Sequence, residues 1–177
     1  MSSREQGLCV RTCAEGEVRS AIQAAGRSSD LAERYVTMQR RGEGVFLAAW
    51  SGDRPLGYVF LKWDPPPPPV YASEWASRVA KPCACLENLF VIEEYRGKGI
   101  GSTIVLETER EAARRGFELI GLAVDPKRNP AAHALYLRLG FSDIGLPPFD
   151  ASGSWTDADG VTRHYEEWCI CMTKPVG

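Results

Sequence analysis

Apolar and polar residues recur with two different periods and divide the chain into predicted strands and helices. Compact or alternating apolar runs predict strands at Leu8–Thr12, Val45–Trp50, Leu56–Trp63, Leu86–Ile92, Phe117–Val124 and Thr162–Thr173. Helical spacing predicts helices at Glu15–Gly26, Ser29–Arg40, from Ile100 to the stop at Gly116, and between Asn129 and Gly140. Ser51–Pro55 predicts a hairpin turn, so the chain is expected to begin antiparallel.

The size and charge of the chain narrow its class. Its 177 residues favour a single domain over 1–177, and 44% hydrophobic with 25% charged residues is ordinary for a globular protein. A formal net charge of -2 argues against nucleic-acid binding. Met1–Gln6 is polar and no apolar run reaches the length of a membrane span, so we expect no membrane partner and a cytoplasmic location.

A glycine-rich turn follows the strand at Leu86–Ile92 and precedes a helix. Glycines at 97, 99 and 101 allow positive φ and close approach of a ligand to the backbone. The N–H groups there would lie at a helix N-terminus, which favours an anion such as a pyrophosphate, and Arg96 and Lys98 add positive charge. A flexible strand-to-helix connector is the alternative interpretation of this turn.

A second motif, NPAAHALYLRLGF, begins at Asn129. Asn129 suits the helix N-cap, Pro130 the first helical position and Gly140 a left-handed C-terminal residue, so the sequence predicts a short helix. By periodicity alone, Tyr136 on this helix is a core aromatic residue with a solvated hydroxyl.

Taken in order, the two motifs resemble the GNAT superfamily of acyl-CoA N-acyltransferases. Arg96, Gly99 and Gly101 reproduce its R/Q-x-x-G-x-G/A signature, and the Asn129 motif follows at the family's usual distance. The resemblance implies an α/β (α+β) GNAT fold with a mainly antiparallel sheet of about seven strands, flanked by about four helices. Its central parallel strands would be splayed around acetyl-CoA, the acyl-donor substrate, and no metal is expected.

The resemblance also implies which residues contact acetyl-CoA. The backbone of one strand would pair with the pantetheine arm and polarise the thioester carbonyl. Tyr136, seven residues after Asn129, would face the sulfur and donate a hydrogen bond or a proton to the leaving thiolate. The expected cofactor-binding residues are Leu89, Phe90, Val91, Arg96, Gly97, Lys98, Gly99, Ile100, Gly101, Ser102, Asn129, Ala132 and Tyr136.

A general base is harder to identify. The ribosomal alanine acetyltransferase branch of the family has a glutamate on the strand that here ends at Val124, where this chain has Ala123. Glu87 is the best replacement, because LENLFV resembles a strand of aminoglycoside-type acetyltransferases that borders the acetyl group. As a lone carboxylate, Glu87 could equally bind the acceptor or be a strand-edge charge, and a water relay is the alternative to a base.

Other segments have plain interpretations beside functional ones. The six cysteines favour buried structural thiols over zinc or redox chemistry. Pro65–Pro69 predicts a stiff polyproline spacer, with partner docking or an aromatic acceptor pocket as alternatives. The irregular segment 142–161 carries aromatic and acidic residues and is expected to influence acceptor choice. Within it, Asp159–Gly160 predicts a hairpin turn, and a calcium loop is the weaker alternative.

The sequence therefore predicts acetyl transfer from acetyl-CoA to a primary amine of a small molecule, by direct attack in a ternary complex. A protein or peptide N-acetyltransferase and a non-catalytic acyl-CoA-binding module remain alternatives. Dimers are common in the family, so a homodimer is an open expectation.

Overall fold

The computed structural model describes residues 7–177, and a mostly antiparallel sheet organises them. Met1–Gln6, the polar start of the sequence, lies outside the described residues. The strands are β1 (Leu8–Thr12), β2 (Gly44–Ser51), β3 (Arg54–Lys62), β4 (Cys83–Val91), β5 (Leu119–Val124), β6 (Ser142–Asp143), β7 (Phe149–Asp150), β8 (Gly153–Thr156), β9 (Thr162–Tyr165) and β10 (Trp168–Pro175). The α-helices are α1 (Glu15–Ala24), α2 (Ser29–Arg40), α3 (Trp75–Arg78), α4 (Ile100–Arg114) and α5 (Pro130–Arg138), with 3-10 turns at Pro69–Tyr71 and Glu93–Tyr95.

The strand order of the main sheet is β1-β2-β3-β4-β5-β10-β6, and β7 also pairs with β10. Strands β4 and β5 are parallel and are joined through α4, as the predicted strand-helix-strand unit requires. The neighbouring pairs β3–β4 and β5–β10 are antiparallel. This mixed α/β architecture confirms the predicted fold class.

The two parallel strands separate beyond their first residues. Cys83–Cys85 pair with Leu119–Gly121, but the later residues of β4 and β5 do not pair with each other. Strand β4 continues to Val91 and β5 to Val124. The sheet is therefore open between these strands at their carboxyl ends, as the splayed-strand prediction expected.

A β-bulge at Asn88 marks the point where β4 changes direction. In the register with β3, Phe60 faces Glu87 and Tyr58 faces Phe90, so two residues of β4 oppose Val59 alone. Asn88 has a φ of 54°, in the left-handed region that asparagine tolerates better than most residues. The bulge changes which side chains of β4 face each side of the sheet.

Helices cover both faces of the sheet and bury two apolar clusters. On one face α1 and α2 pack over β2 and β3, with Val18, Tyr35, Phe46 and Phe60 fully buried. On the other face α4 packs over the sheet through Ile104, Val105 and Ala112. Because α4 and α5 flank the open end of the sheet, this second cluster packs behind the cleft, which is the gap between β4 and β5.

The C-terminal region differs from the predicted single strand Thr162–Thr173. Thr162–Tyr165 forms a separate hairpin with β8, and the main-sheet strand begins at Trp168. The break falls at Glu166–Glu167, two consecutive charges that interrupt the apolar alternation. Asp125 accepts a hydrogen bond from the Trp168 N–H at 2.9 Å and so fixes where β10 starts.

Within residues 7–177, no helix is both long and apolar enough to cross a bilayer.

Candidate active site

The glycine turn forms an open set of backbone donors at the start of α4. Gly97 and Gly99 adopt φ values of 74° and 80°, and Gly99 is the N-cap of α4. No side chain caps the helix there, so its first N–H groups point toward the cleft without an internal acceptor. Arg96 is held by a 2.9 Å hydrogen bond from Nε to the Val91 carbonyl. This arrangement suits an anionic phosphate group.

A cavity of about 620 Å³ extends from this turn along β4 to α5. Eleven of the predicted cofactor contacts line it: Leu89, Phe90, Val91, Arg96, Gly97, Gly99, Ile100, Gly101, Ser102, Asn129 and Ala132. Two predicted contacts, Lys98 and Tyr136, are not among the lining residues. Lys98 Nζ instead donates a hydrogen bond to the Glu94 carbonyl at 3.1 Å. Tyr95, Ala131, Leu135 and Arg138 complete the wall and were not predicted.

Tyr136 lies in the packed region behind this wall. Only 6% of the residue is exposed, and its ring meets Phe141 edge-on with centroids 5.8 Å apart. Burial raises the pKa of the phenol to about 12, so it keeps its proton at neutral pH. The role of Tyr136 toward the coenzyme sulfur stays a prediction.

The predicted caps of α5 are present, with one difference in chemistry. Asn129 occupies the N-cap and Pro130 the first position, and Gly140 has a φ of 90° beyond the C-terminus. The Asn129 side chain makes no cap hydrogen bond and instead lines the cavity. Asp125 receives the N–H groups of Lys127 and Arg128 at 2.8 and 3.0 Å and orders the turn before the helix.

Two further cavities lie on the other side of the bulge in β4. One, of about 350 Å³, contains Glu87, Asn88, Glu167 and Ala123 in its wall. Pro65, Pro66, Pro68 and Trp75 also line it, so the proline run forms part of a pocket. The other, of about 500 Å³, lies between α2 and the β8–β9 hairpin. Both cavities are lined by Asn88, Tyr165 and Glu167 and therefore adjoin each other.

Glu87 is already committed to positive partners. Arg34 Nη2 donates to its Oε1 at 3.0 Å, and Lys62 Nζ pairs with Oε2. The Tyr35 hydroxyl approaches Oε1 at 3.4 Å. Because both carboxylate oxygens of Glu87 already contact cations, these contacts favour a positioning role. Whether Glu87 acts as the base stays a prediction.

Glu167 is a carboxylate that the sequence interpretation missed. It lines both of the cavities beyond the bulge, and within residues 7–177 no cation forms an ion pair with it. Partial burial, followed by the nearby negative charge of Asp125, raises its pKa. The only sequence signal was its place at the break in the last strand, because its proximity to Asn88 depends on the hairpin.

The predicted hairpin turn at Asp159–Gly160 is confirmed and explains the acidic residues near it. Asp157 accepts hydrogen bonds from the Asp159 and Val161 N–H groups at 3.1 and 2.9 Å, and it pairs with Arg163. Its carboxylate therefore closes the turn. Within the described part of the chain, no group of His, Cys, Asp and Glu side chains has a metal-binding arrangement.

The cysteines are mostly buried, as expected, with two differences. Cys13, Cys83, Cys169 and Cys171 are buried, whereas Cys9 is exposed and Cys85 is partly exposed. Cys85 Sγ lies 3.9 Å from Cys83 Sγ on the same face of β4. Burial raises the pKa of the Cys169 thiol to about 12 and of Cys171 to about 11, so both remain protonated at neutral pH.

Comparisons with known proteins agree with this geometry. An uncharacterized N-acetyltransferase of Methanocaldococcus jannaschii, MJ1207, is 29% identical over 107 residues, which are 60% of this chain and 42% of that protein. An N-acetyltransferase structure from Staphylococcus aureus Mu50 superposes with a TM-score of 0.69 at 14% identity, over 97% of this chain and 99% of the other. The putative acetyltransferase yncA of Salmonella typhimurium, solved with acetyl-CoA, gives 0.66 at 14% identity, over 96% and 94%.

The family assignment comes from a match to a family model. The model of the acetyltransferase (GNAT) family covers residues 16–141, well over half of the chain. The matched region contains the glycine turn, the splayed strands and the α5 motif. The chain therefore belongs to the acetyltransferase (GNAT) family.

Proposed function

We propose that this protein transfers the acetyl group of acetyl-CoA to a primary amine of a small molecule, by direct attack within a ternary complex. One observation carries the proposal. Residues 89–91 of β4 line the cavity of about 620 Å³, while Asn88 lines both cavities on the other side of the bulge and Glu87 lines the smaller of the two. We assign the first cavity to the donor and the other two to the acceptor, because a strand shared by both sites would hold the two reactants side by side.

The donor cavity fits acetyl-CoA by the chemistry of its residues. Positive φ at Gly97 and Gly99 exposes N–H groups at the uncapped start of α4, where a diphosphate would be held. Leu89 and Val91 offer a strand edge left open by the splay for an extended amide-bearing arm. When bound, acetyl-CoA supplies a thioester, an acyl group activated toward amines.

The acceptor amine must lose a proton before it can attack. With a pKa of about 10.4 for a lysine-like amine, about one molecule in a few thousand is neutral at pH 7. Glu167, which has no ion-pair partner among the described residues and a raised pKa, is the carboxylate best suited to attract the ammonium group and take its proton, directly or through water. Glu87, through its ion pairs with Lys62 and Arg34, would hold the side chains in the wall of the adjoining cavity in place.

Tyr136 is proposed to stabilise the leaving thiolate. Its pKa of about 12 lies above the value of about 8.5 for a thiol, so full proton transfer would be uphill. A hydrogen bond from the phenol is the better-matched contribution. Reaching the sulfur from the packed position beside Phe141 requires the hydroxyl to face the cleft when the donor is bound.

The size of the acceptor cavities favours a small-molecule acceptor over a protein. Volumes of about 350 and 500 Å³ fall within the range of small-ligand pockets, about 300–1,000 Å³. Action on a protein or peptide amine is the second candidate. A single domain, a cytoplasmic location and homodimer formation remain proposals.

A thiol-release assay tests the function directly. Purified protein is mixed with acetyl-CoA and a panel of primary amines and N-terminal peptides, and free thiol is measured for wild type, Tyr136→Phe and Glu167→Gln. We expect turnover on small amines that both variants reduce. Coenzyme binding without turnover on any amine or peptide would favour a non-catalytic module. Turnover confined to peptides would overturn the small-molecule acceptor.

A further inference from the structure

Arg27 lies at the edge of the proposed acceptor site without an anionic partner. It lies in the turn between α1 and α2, and its guanidinium lies 3.9 Å from the centroid of the Trp155 ring and 5.2 Å from that of Phe90. The side chain is half-buried, and no carboxylate within residues 7–177 forms an ion pair with it. An arginine that stacks on an aromatic ring keeps its N–H donors in the plane of the guanidinium group, where they can bind a planar anion.

Tyr58 provides a second donor without a partner. The residue is 1% exposed, and its hydroxyl makes no hydrogen bond with any described residue. Burial raises the pKa of this phenol, while the side chain of Arg27, through its positive charge and its approach to the hydroxyl, opposes the rise, so the two groups are neighbours. Buried hydroxyls are almost always paired, which makes this one exceptional.

Both groups face the same cavity as Glu167. Arg27 and Tyr58 line the space of about 500 Å³ between α2 and the β8–β9 hairpin, and Glu167 lines it as well. The other charged side chains there are Arg34, which is paired with Glu87, and Asp30, which is exposed in the first turn of α2. The cavity therefore offers a cation without an anionic partner and a hydroxyl donor, together with a carboxylate whose only side-chain partner among the described residues is the Cys169 thiol.

We infer that the acceptor carries a carboxylate as well as its amine, as an amino acid does, and that Arg27 and the Tyr58 hydroxyl bind this carboxylate. The inference rests on the proposed function and names its substrate class. The guanidinium fork matches the two oxygens of a carboxylate, and the phenol adds a third hydrogen bond. Glu167, which lines the same cavity, then receives the ammonium group of the same molecule.

The test compares amines that differ only in the carboxylate. Phenylalanine, leucine and methionine are each assayed with acetyl-CoA beside the decarboxylated amine and the C-terminal amide. We expect the amino acid to have the higher kcat/KM, and Arg27→Gln to lower that value by about tenfold to a hundredfold. The same variant should leave the decarboxylated amines within about threefold of wild type, because they make no contact with Arg27.

Two variants separate recognition from folding. Tyr58→Phe removes only the unpaired hydroxyl, so it should raise KM for amino acids while leaving the free energy of unfolding unchanged or higher. Arg40→Gln is the matched control, because it removes the same charge from a surface ion pair with Glu15 and should change neither kinetics nor selectivity. Unchanged coenzyme affinity in Arg27→Gln would show that the donor site is intact.

A binding measurement keeps the inference independent of turnover. Calorimetry of the coenzyme A-loaded protein with the N-acetyl forms of the same amino acids should detect binding that Arg27→Gln abolishes. If no amine is acetylated but these carboxylates bind through Arg27, the proposed function fails while the anion site stands. Equal kcat/KM for acids, amides and decarboxylated amines, or carboxylate binding that Arg27→Gln leaves unchanged, would overturn the inference.

Discussion

Asn88 Nδ2 donates a hydrogen bond to the Tyr35 hydroxyl at 2.6 Å. This bond joins the bulge of β4 to α2. It holds a left-handed residue between the cavity of about 620 Å³ and the two cavities that Asn88 lines. Tyr35 is fully buried, and burial raises its pKa, so the phenol stays protonated. The bulge is therefore fixed from behind by a packed aromatic residue.

We predict that Asn88→Ala destabilises the protein by about 1–3 kcal/mol, because alanine at positive φ is strained and the hydrogen bond is lost. Asn88→Gly removes the same hydrogen bond without the strain, so it should cost about 1 kcal/mol less. Urea unfolding followed by fluorescence gives both values. Equal stability of the two variants would contradict the strain at this position.

For the glycine turn, we predict that Gly99→Ala raises KM for acetyl-CoA by about tenfold or more, because strain in the turn displaces the donors of α4. Gly116→Ala is the matched control, since Gly116 has a φ of 81° against 80° for Gly99, and a Cβ at either would meet no atom within 4 Å. Both variants should lose similar stability in thermal unfolding. A coenzyme effect of equal size in the two would show that it reflects stability and not the turn.

Tyr136→Phe should lower kcat by about tenfold to a hundredfold while leaving KM for acetyl-CoA nearly unchanged, because the hydroxyl acts only on the leaving thiolate. Since burial raises the pKa of Tyr136 to about 12, its ionisation should contribute no alkaline fall in kcat below about pH 11. Steady-state kinetics from pH 6 to 10 check both statements. An unchanged kcat in the variant would remove Tyr136 from the mechanism.

The two glutamates should respond oppositely in stability. Glu167 has a raised pKa in the folded protein, so its contribution to stability is present at low pH and is lost as the pH rises through the folded value. Glu167→Gln should therefore be as stable as wild type at pH 7. If Glu167 is the base, the variant should also lose the fall of kcat/KM at acidic pH. Glu87→Gln leaves Lys62 and Arg34 without their carboxylate and should be less stable at that pH.

Parallel measurements of the pH profile of kcat/KM and of urea unfolding distinguish these cases. If Glu87→Gln abolishes the acidic limb and Glu167→Gln does not, the base is Glu87, as the sequence first suggested.

Local sequence motifs were enough to predict most residues that line the cavity of about 620 Å³. Proline favours the first position of a helix and glycine the position just after its end, so Pro130 and Gly140 predict the two ends of α5. Gly99 comes directly before α4, so the start of that helix could also be predicted within a few residues. Eleven of the lining residues followed from these two motifs and the family resemblance.

The acceptor half depends on contacts between segments far apart in the chain. Arg34 reaches Glu87 across 53 positions, and no periodicity around either residue encodes that pairing. Asn88 gave no sign of its left-handed conformation, because the bulge arises from the register of β3 against β4. Glu167 was predicted inside a continuous strand. It lines the cavities because the β8–β9 hairpin ends before it and β10 begins after it.

The β8–β9 hairpin is attached to the α1–α2 turn through main-chain atoms. Ser28 N–H donates to the Thr156 carbonyl at 3.2 Å, and Ala158 N–H donates to the Gly26 carbonyl at 3.1 Å. Apart from Trp155, which stacks on Arg27, such main-chain attachment places few demands on the identity of the hairpin side chains. Substitutions at the outward positions of this hairpin can therefore reshape the wall of the cavity of about 500 Å³ without disturbing the glycine turn before α4.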